Sequence, residues 1–204
     1  MGILLINGSP HEKGCTYTAL SEVAGELERN GFETEIYHIG NDPIYGCRGC
    51  NGCRETGFCV IDGDRCNELI RLMRAAQGLV IGSPVYFAGV NGALCALLDR
   101  AFFTARAHVA YKPGAAVVSC RRGGAGSAFD RLNKYFTINN MPVVSSQYWN
   151  SVHGNTPDEV RQDAEGLQVM RILGRNMAWL LKSIGTNNPP TPAPEPPLRT
   201  NFIR

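Results

Sequence analysis

Residues 2–16 read Gly-Ile-Leu-Leu-Ile-Asn-Gly-Ser-Pro-His-Glu-Lys-Gly-Cys-Thr, an apolar run that passes into a glycine-containing polar loop. The run from Gly2 to Asn7 is short and continuously apolar, which is typical of a buried strand in a parallel sheet. Residues 16–30 follow with apolar side chains at helical spacing, so the stretch predicts a strand–loop–helix unit. Backbone N–H groups at such a helix start, together with the helix dipole, form an anion site.

The loop itself has the chemistry of a monophosphate site. Ser9 and Thr16 offer hydroxyl donors, and Gly14 allows the backbone to approach a ligand closely. The loop is not a Walker loop, because no Gly-Lys-Ser/Thr closes it. It is not a dinucleotide fingerprint either, because the Gly-x-Gly-x-x-Gly spacing is absent. An ordinary capped turn is the alternative interpretation.

The rest of the chain alternates strand-like and helical patterns. Further strands are predicted at 33–39, 79–82, 114–119 and 142–146, and helices at 67–76, 91–104, 125–136 and from Thr156 to about Ser183. This alternation predicts an α/β three-layer sandwich with a five-stranded parallel sheet in the flavodoxin-like order 2-1-3-4-5. Ligands in such sheets bind beyond the carboxyl ends of the strands, so the loops after the first, third and fourth strands should form the site.

Two of these loops carry residues suited to a flat ligand. The candidates after the third strand are Ser83, Pro84, Val85, Tyr86 and Phe87, and those after the fourth are Ser119, Arg121, Arg122, Gly123 and Gly124. Aromatic side chains can form the wall of a ring-binding site, paired glycines allow close approach, and an arginine can pair with an anion. Alternatively, the aromatic residues belong to the core or a subunit contact, and the arginines are a solvated pair.

Cysteines are concentrated in a third region. Cys47, Cys50, Cys53 and Cys59 follow the spacing C-x2-C-x2-C-x5-C inside residues 40–66, which show no clear periodicity. So long a loop is uncommon in a compact domain unless something orders it. Four thiolates in one tight loop can hold a [4Fe–4S] cluster. A zinc ion, metal-free redox thiols and an ordinary loop are the alternatives.

With these motifs, the chain resembles the NAD(P)H-dependent FMN reductase and iron–sulfur flavoprotein group of the flavodoxin superfamily over roughly residues 1–184. The resemblance rests on Gly-Ser-Pro at 8–10 through the threonine at 16, Ser-Pro-Val-Tyr-Phe at 83–87 and Arg-Arg-Gly-Gly at 121–124. It implies FMN, with the phosphate at the first loop, including Pro10, and the ring at the other two. It also implies four cysteine ligands on one cluster. Cys15 is a departure, since the group usually has asparagine there.

The resemblance implies an FMN-dependent oxidoreductase. Electrons would pass from NAD(P)H or a protein donor through the flavin to a small-molecule or protein acceptor, with or without a cluster. No side chain need act as a nucleophile, so no catalytic residue is predicted. A flavodoxin-type electron carrier, a quinone or flavin reductase without a cluster, and a zinc-stabilised binding module are the rival interpretations. The group also implies a homo-oligomer.

The composition of the chain bears on its binding partners and its location in the cell. The net charge of the 204 residues is +2, which favours neither nucleic acid nor a membrane surface as a partner. The N-terminal run lacks the basic region and cleavage site of a signal peptide, so we expect a cytoplasmic protein with reduced thiols. We expect a flavodoxin-like domain at 1–184 with a cysteine-rich insert at 40–66. A proline-rich arm is expected at 185–204.

Overall fold

The computed structural model describes residues 2–187, 190–193, 195–196, 198 and 200 of the chain. Its strands are β1 (Ile3–Asn7), β2 (Thr34–His38), β3 (Gly78–Tyr86), β4 (Gly89–Val90), β5 (Gly114–Cys120) and β6 (Ser151–His153). Its helices are α1 (Cys15–Arg29), α2 (Cys53–Thr56), α3 (Cys66–Ala75), α4 (Gly92–Val109), α5 (Ala125–Thr137), α6 (Pro157–Gln162) and α7 (Ala164–Asn187).

Five of the strands form a parallel sheet in the order β2-β1-β3-β5-β6. The short strand β4 is antiparallel and pairs only with the end of β3. With β4 set aside, this is the order 2-1-3-4-5, so the predicted flavodoxin-like α/β sheet is confirmed. The parallel register places Asn7 level with Gly82, and Pro84 level with Ser119. The ends of β1, β3 and β5 therefore meet at one edge of the sheet.

Helices cover both faces of this sheet. Along β1, Leu4 and Ile6 pack into the core beneath α3, α4 and α5, whereas Ile3 and Leu5 pack into the core beneath α1, α6 and α7. All four side chains are buried. Alternate residues thus enter opposite cores, which explains why the strand is apolar at every position.

The predicted strand at 142–146 is wrong in extent, because the edge strand is divided. Only a single bridge joins Val143 to Gly114, and regular pairing resumes at β6. Between them, the Asn150 side chain donates to the Ala116 carbonyl at 3.0 Å, where a continuous strand would supply a backbone N–H. A side-chain hydrogen bond to the sheet edge allows the chain to leave and rejoin the sheet there.

The predicted helix from Thr156 to Ser183 is also divided, into α6 and α7. Asp163 separates them, and its carboxylate accepts from the Gly166 N–H at 2.9 Å and the His153 N–H at 2.7 Å. Capping the start of α7 in this way favours a new helix over continuation of the old one. The same carboxylate attaches α7 to β6 at the sheet edge.

The cysteine-rich segment 40–66 contains one short helix, α2, and the first residue of α3. The predicted arm at 185–204 begins inside α7, which continues to Asn187. Its residues 190–193, 195–196, 198 and 200 have no regular structure, and the remainder lies outside the described residues. None of the helices in the described ranges combines the length and apolar character needed to cross a bilayer.

Candidate functional site

The loop between β1 and α1 is held by hydrogen bonds from its own flanks. The Asn7 side chain accepts from the Ser9 N–H at 3.1 Å and donates to the Glu12 carbonyl at 2.9 Å. The His38 Nε2 atom lies 2.7 Å from the Ser9 carbonyl. A Cβ atom at Gly14 would lie 2.9 Å from the His11 Cβ, so the tight closure of the loop requires glycine there. The loop conformation is therefore held by hydrogen bonds within the protein.

Three hydroxyl groups lie in and beside this loop. Ser9 Oγ accepts from the His11 N–H at 3.1 Å, which leaves its own hydrogen free to donate. The Thr16 and Ser119 hydroxyl oxygens are 2.9 Å apart, and all three residues are buried. Because one hydrogen suffices for the Thr16–Ser119 contact, the pair retains a second hydrogen for another acceptor.

The N-terminus of α1 completes this arrangement. In the part of the chain that the structure describes, no side chain caps the helix at Gly14. The first N–H groups of a helix have no partner within it, and the helix dipole favours an anion beside them. An uncapped helix start with buried hydroxyl donors fits a phosphate group. Pro10 lies half-buried in the same loop.

The predicted loop at 83–87 is instead the end of β3 and the start of a hairpin. Val85 pairs with Val90, and Tyr86 with Gly89. The two-residue turn consists of Phe87 and Ala88, with φ angles of 50° and 58°. Such turns normally use asparagine and glycine, since other residues adopt positive φ only at a cost of about 1–3 kcal/mol.

The hairpin presents its aromatic residues to solvent. The Phe87 side chain is fully exposed and Tyr86 is 43% exposed, whereas Pro84 is half-buried and Ser83 is buried. Backbone strain and exposed aromatic surface are both unfavourable in a protein without a ligand. Both are found preferentially at ligand sites. The core interpretation of Tyr86 and Phe87 is therefore wrong.

The loop after β5 contacts this hairpin. Gly124 has a φ of +87°, and a Cβ atom there would lie 2.8 Å from the Ala88 Cα. The Ser127 hydroxyl donates to the Ala88 carbonyl at 2.5 Å. Arg121, Arg122 and Gly123 are exposed beside this contact. The two predicted ring loops therefore meet in space.

Asn91 is a residue of this region that the sequence reasoning did not assign to the site. Its side chain donates to the Gly8 carbonyl at 2.8 Å and accepts from the Ala93 N–H at 2.9 Å, which caps α4. Its backbone N–H donates to Ser83 Oγ at 3.1 Å. Asn91 thus connects the first loop to the hairpin. Its sequence signal is the asparagine immediately before a helix.

The structure therefore brings the three predicted loops together at one edge of the sheet. The contacts Thr16–Ser119, Gly8–Asn91 and Gly124–Ala88 join them pairwise. Contact of any of these residues with a ligand remains a prediction.

The four predicted cysteine ligands line a single cavity of about 200 Å³. Cys47 and Cys50 are exposed, and Cys53 and Cys59 are half-buried. Positive φ angles at Gly49, Asn51 and Gly57 give the loop its tight turns. Within the described residues, no three histidine, cysteine, aspartate or glutamate side chains are close enough to hold a metal ion. The donor set nevertheless fits a thiolate-bound metal centre in type, number and common cavity.

Arg100 of α4 is a second residue that sequence reasoning missed. Its side chain is buried and forms an ion pair with the buried carboxylate of Asp64. Burial alone would lower the pKa of Arg100, but hydrogen bonds to Asp64 and Cys59 outweigh burial and raise it. Its only sequence signal is an arginine inside the largely apolar stretch that forms α4.

Cys66 is the first residue of α3 and lies beneath the cysteine-rich segment 40–66. Burial raises its pKa to about 12, so the thiol stays protonated at neutral pH. Its N–H donates to the Asp64 carboxylate at 3.1 Å.

Comparisons with known proteins agree with this arrangement. A family model described as NADPH-dependent FMN reductase matches residues 1–156. An iron-sulfur flavoprotein of Methanocaldococcus jannaschii is 32% identical over 192 residues, which cover 90% of this chain and 99% of that protein. An iron-sulfur flavoprotein of Methanosarcina thermophila is also 32% identical over 192 residues, covering 92% and 98%.

Solved structures match the fold at low sequence identity. RosB with a bound 8-demethyl-8-formylriboflavin-5'-phosphate has a TM-score of 0.69 at 13% identity, covering 99% of this chain and 95% of that one. A flavodoxin from the domain Archaea has a TM-score of 0.61 at 14% identity, covering 89% and 99%. The family model spans most of the chain, and both curated relatives align along nearly their whole length. The chain therefore belongs to the NADPH-dependent FMN reductase family.

Proposed function

We propose that the chain binds FMN where its three loops meet and works as an oxidoreductase that takes electrons from NAD(P)H or a protein donor. The observation that carries this proposal is the buried Thr16–Ser119 hydroxyl pair beside the uncapped start of α1. Those groups offer an O–H donor, backbone N–H donors and a positive helix end to one phosphate. Ser9 adds a third buried hydroxyl, whose oxygen would lie 3.7 Å from a Cβ atom at Gly14.

The ring of the flavin would lie against the hairpin and the loop after β5. Tyr86 and Phe87 supply exposed aromatic surface, and a Cβ atom at Gly123 would meet no atom within 4 Å. Open space beside a glycine and an aromatic surface suit a flat ring. Arg121 and Arg122 are exposed beside this space, and their guanidinium groups would pair with the negative charge of a reduced flavin or a nicotinamide phosphate.

FMN supplies the electron-accepting ring, and the protein supplies its position and surroundings. The first loop holds the phosphate, and Asn91 keeps that loop in register with the hairpin. The exposed hairpin leaves one side of the site open to a donor. The acceptor is a small molecule or a protein, and assembly into a homo-oligomer is part of the same proposal.

A second proposal concerns the cysteines. We propose that Cys47, Cys50, Cys53 and Cys59 hold a [4Fe–4S] cluster. The observation that favours a cluster is their common cavity, which Arg48, Arg54 and Arg100 also line. Nearby guanidinium groups offset the negative charge of four thiolates. The names of the two curated relatives agree with it. All eight cysteines are free, which suits a reducing compartment such as the cytoplasm.

The flavin proposal is tested on protein purified without oxygen. We expect a yellow protein that releases FMN on denaturation and loses its flavin colour when NADPH or NADH is added. A colourless protein with no affinity for FMN would contradict the proposal. A flavin that is reduced by dithionite but by neither nicotinamide would favour the rival interpretation, an electron carrier.

Metal analysis of the same preparation tests the cluster. We expect about four irons and four sulfides per chain. Cys59→Ser should lose most of the iron. Cys95→Ser is the matched control, because Cys95 lies in α4 outside the cavity. Zinc in place of iron would rule the cluster out, and equal iron in both variants would show that Cys59 is not one of its ligands.

A further inference from the structure

We propose that Arg100 is a positioning residue that fixes Cys59 as the pre-ordered ligand of the cysteine site and raises the reduction potential of the metal centre held there. The proposal rests on the proposed cluster function, and its test separates the two. It starts from the placement of one cation. Arg100 is 1% exposed in a helix whose neighbouring residues pack into the apolar core.

A buried guanidinium is stable only when its donors are paired. The partners of Arg100 all belong to the segment 45–64. Its Nη1 atom donates to the Tyr45 carbonyl at 3.1 Å and to the Asp64 carboxylate, and its Nη2 atom donates to the Ile61 carbonyl at 2.9 Å. One side chain therefore ties the start of the cysteine segment to its end.

The third nitrogen of the Arg100 guanidinium has a different kind of partner. Its Nε atom donates to Cys59 Sγ at 3.2 Å. If Arg100 only held the segment in place, carbonyl and carboxylate oxygens would suffice as acceptors for all of its N–H groups. The N–H···S contact places a permanent cation and a directed donor on one of the four thiols that line the cavity.

The backbone of Cys59 is fixed as well. Its N–H donates to Asn67 Oδ1 at 2.9 Å, and its carbonyl accepts from Asn67 Nδ2 at 2.9 Å. Cys59 is thus held by α3 through its main chain and by α4 through its sulfur. Cys47 and Cys50 are exposed on the turns of the loop. The geometry assigns Cys59 as the ligand in place before a metal arrives, with the other three closing onto it.

The energetic consequence follows from charge. Adding an electron to a thiolate-bound cluster increases its negative charge, and a nearby cation or N–H donor stabilises that form. Hydrogen bonds to sulfur are one of the ways in which proteins set cluster potentials. Arg100 should therefore raise the cluster potential. It should leave the flavin potential unchanged, since none of its hydrogen bonds reaches the three flavin loops.

The test compares Arg100→Lys, Arg100→Met and the control Arg106→Met in the full chain, purified without oxygen. Arg106 lies in the same helix, is exposed, and among the described residues donates to the Ile138 carbonyl alone. We expect Arg100→Lys to keep its iron with a lower cluster potential in an EPR-monitored titration. Arg100→Met should release iron to a chelator about 10- to 100-fold faster. The flavin potential is the internal reference in both variants.

A cluster potential in Arg100→Lys equal to that of Arg106→Met would overturn the proposal. So would unchanged iron release from Arg100→Met. Hydrogen exchange across residues 45–64 gives a readout that needs no metal, and we expect faster exchange in Arg100→Met than in Arg106→Met. A parent chain without iron contradicts the proposed function. In that case the exchange rates of Arg100→Met and Arg106→Met decide whether Arg100 positions Cys59. Equal rates in the two variants would overturn this part of the proposal as well.

Discussion

The hydroxyl oxygens of Thr16 and Ser119 lie 2.9 Å apart, although 103 residues separate them in the chain. Thr16 reaches Ser119 across the end of β3, where Gly82 leaves the necessary room. A Cβ atom at Gly82 would lie 2.8 Å from the Thr16 Cγ2. The meeting of two buried hydroxyls above a glycine is thus a product of the strand order β1-β3-β5.

Removal of this pair should weaken FMN binding. Thr16→Val keeps the shape of the side chain but deletes the hydroxyl. A hydrogen bond to a charged group contributes about 1.5–3 kcal/mol, so we expect FMN affinity to fall by about 10- to 100-fold. Ser119→Ala leaves the Thr16 hydroxyl in place and should have a smaller effect. Quenching of FMN fluorescence on titration measures both.

Thr137→Val is the control for the first prediction, because Thr137 bonds its own helix and is exposed. Equal affinity for FMN in Thr16→Val and Thr137→Val would show that the pair does not face the phosphate.

Two adjacent glycines after β5 should respond differently to alanine. Gly124→Ala places a Cβ atom 2.8 Å from the Ala88 Cα at a φ of +87°, so we expect a loss of roughly 1–3 kcal/mol in the free energy of unfolding. The Cβ atom of Gly123→Ala meets no atom of the described part of the chain within 4 Å, so the variant should change stability by less than about 0.5 kcal/mol. Urea unfolding of the two variants without FMN measures the difference. Similar stabilities would disprove the close contact of the two ring loops.

Stability should fall in acid partly through Glu26. Hydrogen bonds from Arg175, and then from Arg29, lower the pKa of this buried carboxyl below its ordinary value. Because the folded pKa lies below the unfolded value of about 4.3, the stabilisation is complete above that pH. It is lost as the pH falls through the folded pKa.

Glu26→Gln should therefore cost about 1 kcal/mol at pH 7, since both arginine partners are exposed to solvent, and progressively less toward pH 3. Urea unfolding at several pH values measures the gap between the parent and the variant. Glu22→Gln, on the half-exposed Glu22–Arg171 pair between the same two helices, is the matched control. A gap that stays constant with pH would contradict the assignment.

The contact between α1 and α7 should depend on a glycine. A Cβ atom at Gly174 would lie 2.6 Å from the Glu26 Cβ and 2.9 Å from the Val23 carbonyl. Gly174→Ala should thus destabilise the fold by about 1–3 kcal/mol. Gly185→Ala lies in the same helix, where no atom of the described residues comes within 4 Å of the new Cβ, and should be neutral or slightly stabilising. Thermal unfolding distinguishes them, and a stable Gly174→Ala would show that the helices can separate at little cost.

Local patterns were sufficient for the regular part of the fold. The apolar runs at Ile3–Asn7 and Gly114–Cys120 predict buried parallel strands, and the strand order follows from their alternation with helices. The position of the site follows from that topology as well. The divided edge strand does not, because it depends on the Asn150 side chain bonding to Ala116, 34 residues away.

The hairpin after β3 and the buried ion pair of Arg100 with Asp64 were not predicted from the sequence, for a similar reason. Phe87 and Ala88 form a two-residue turn in which asparagine and glycine, the residues that usually identify such a turn in a sequence, are absent. Arg100 and Asp64 are 36 residues apart, and nothing local indicates that they pair. A pattern of apolar residues does not indicate which polar groups pair across a long stretch of sequence.

Helix α4 carries Asn91 at its cap and Arg100 nine residues later. At 3.6 residues per turn, nine residues make about two and a half turns, so the two side chains leave opposite sides of the helix, about 13 Å apart along its axis. Asn91 connects the first loop to the hairpin, and Arg100 holds the cysteine segment. Inserting a single residue between them would rotate Arg100 by about 100° relative to Asn91. This stretch should therefore accept no change of length, because its length sets the separation of the two proposed sites.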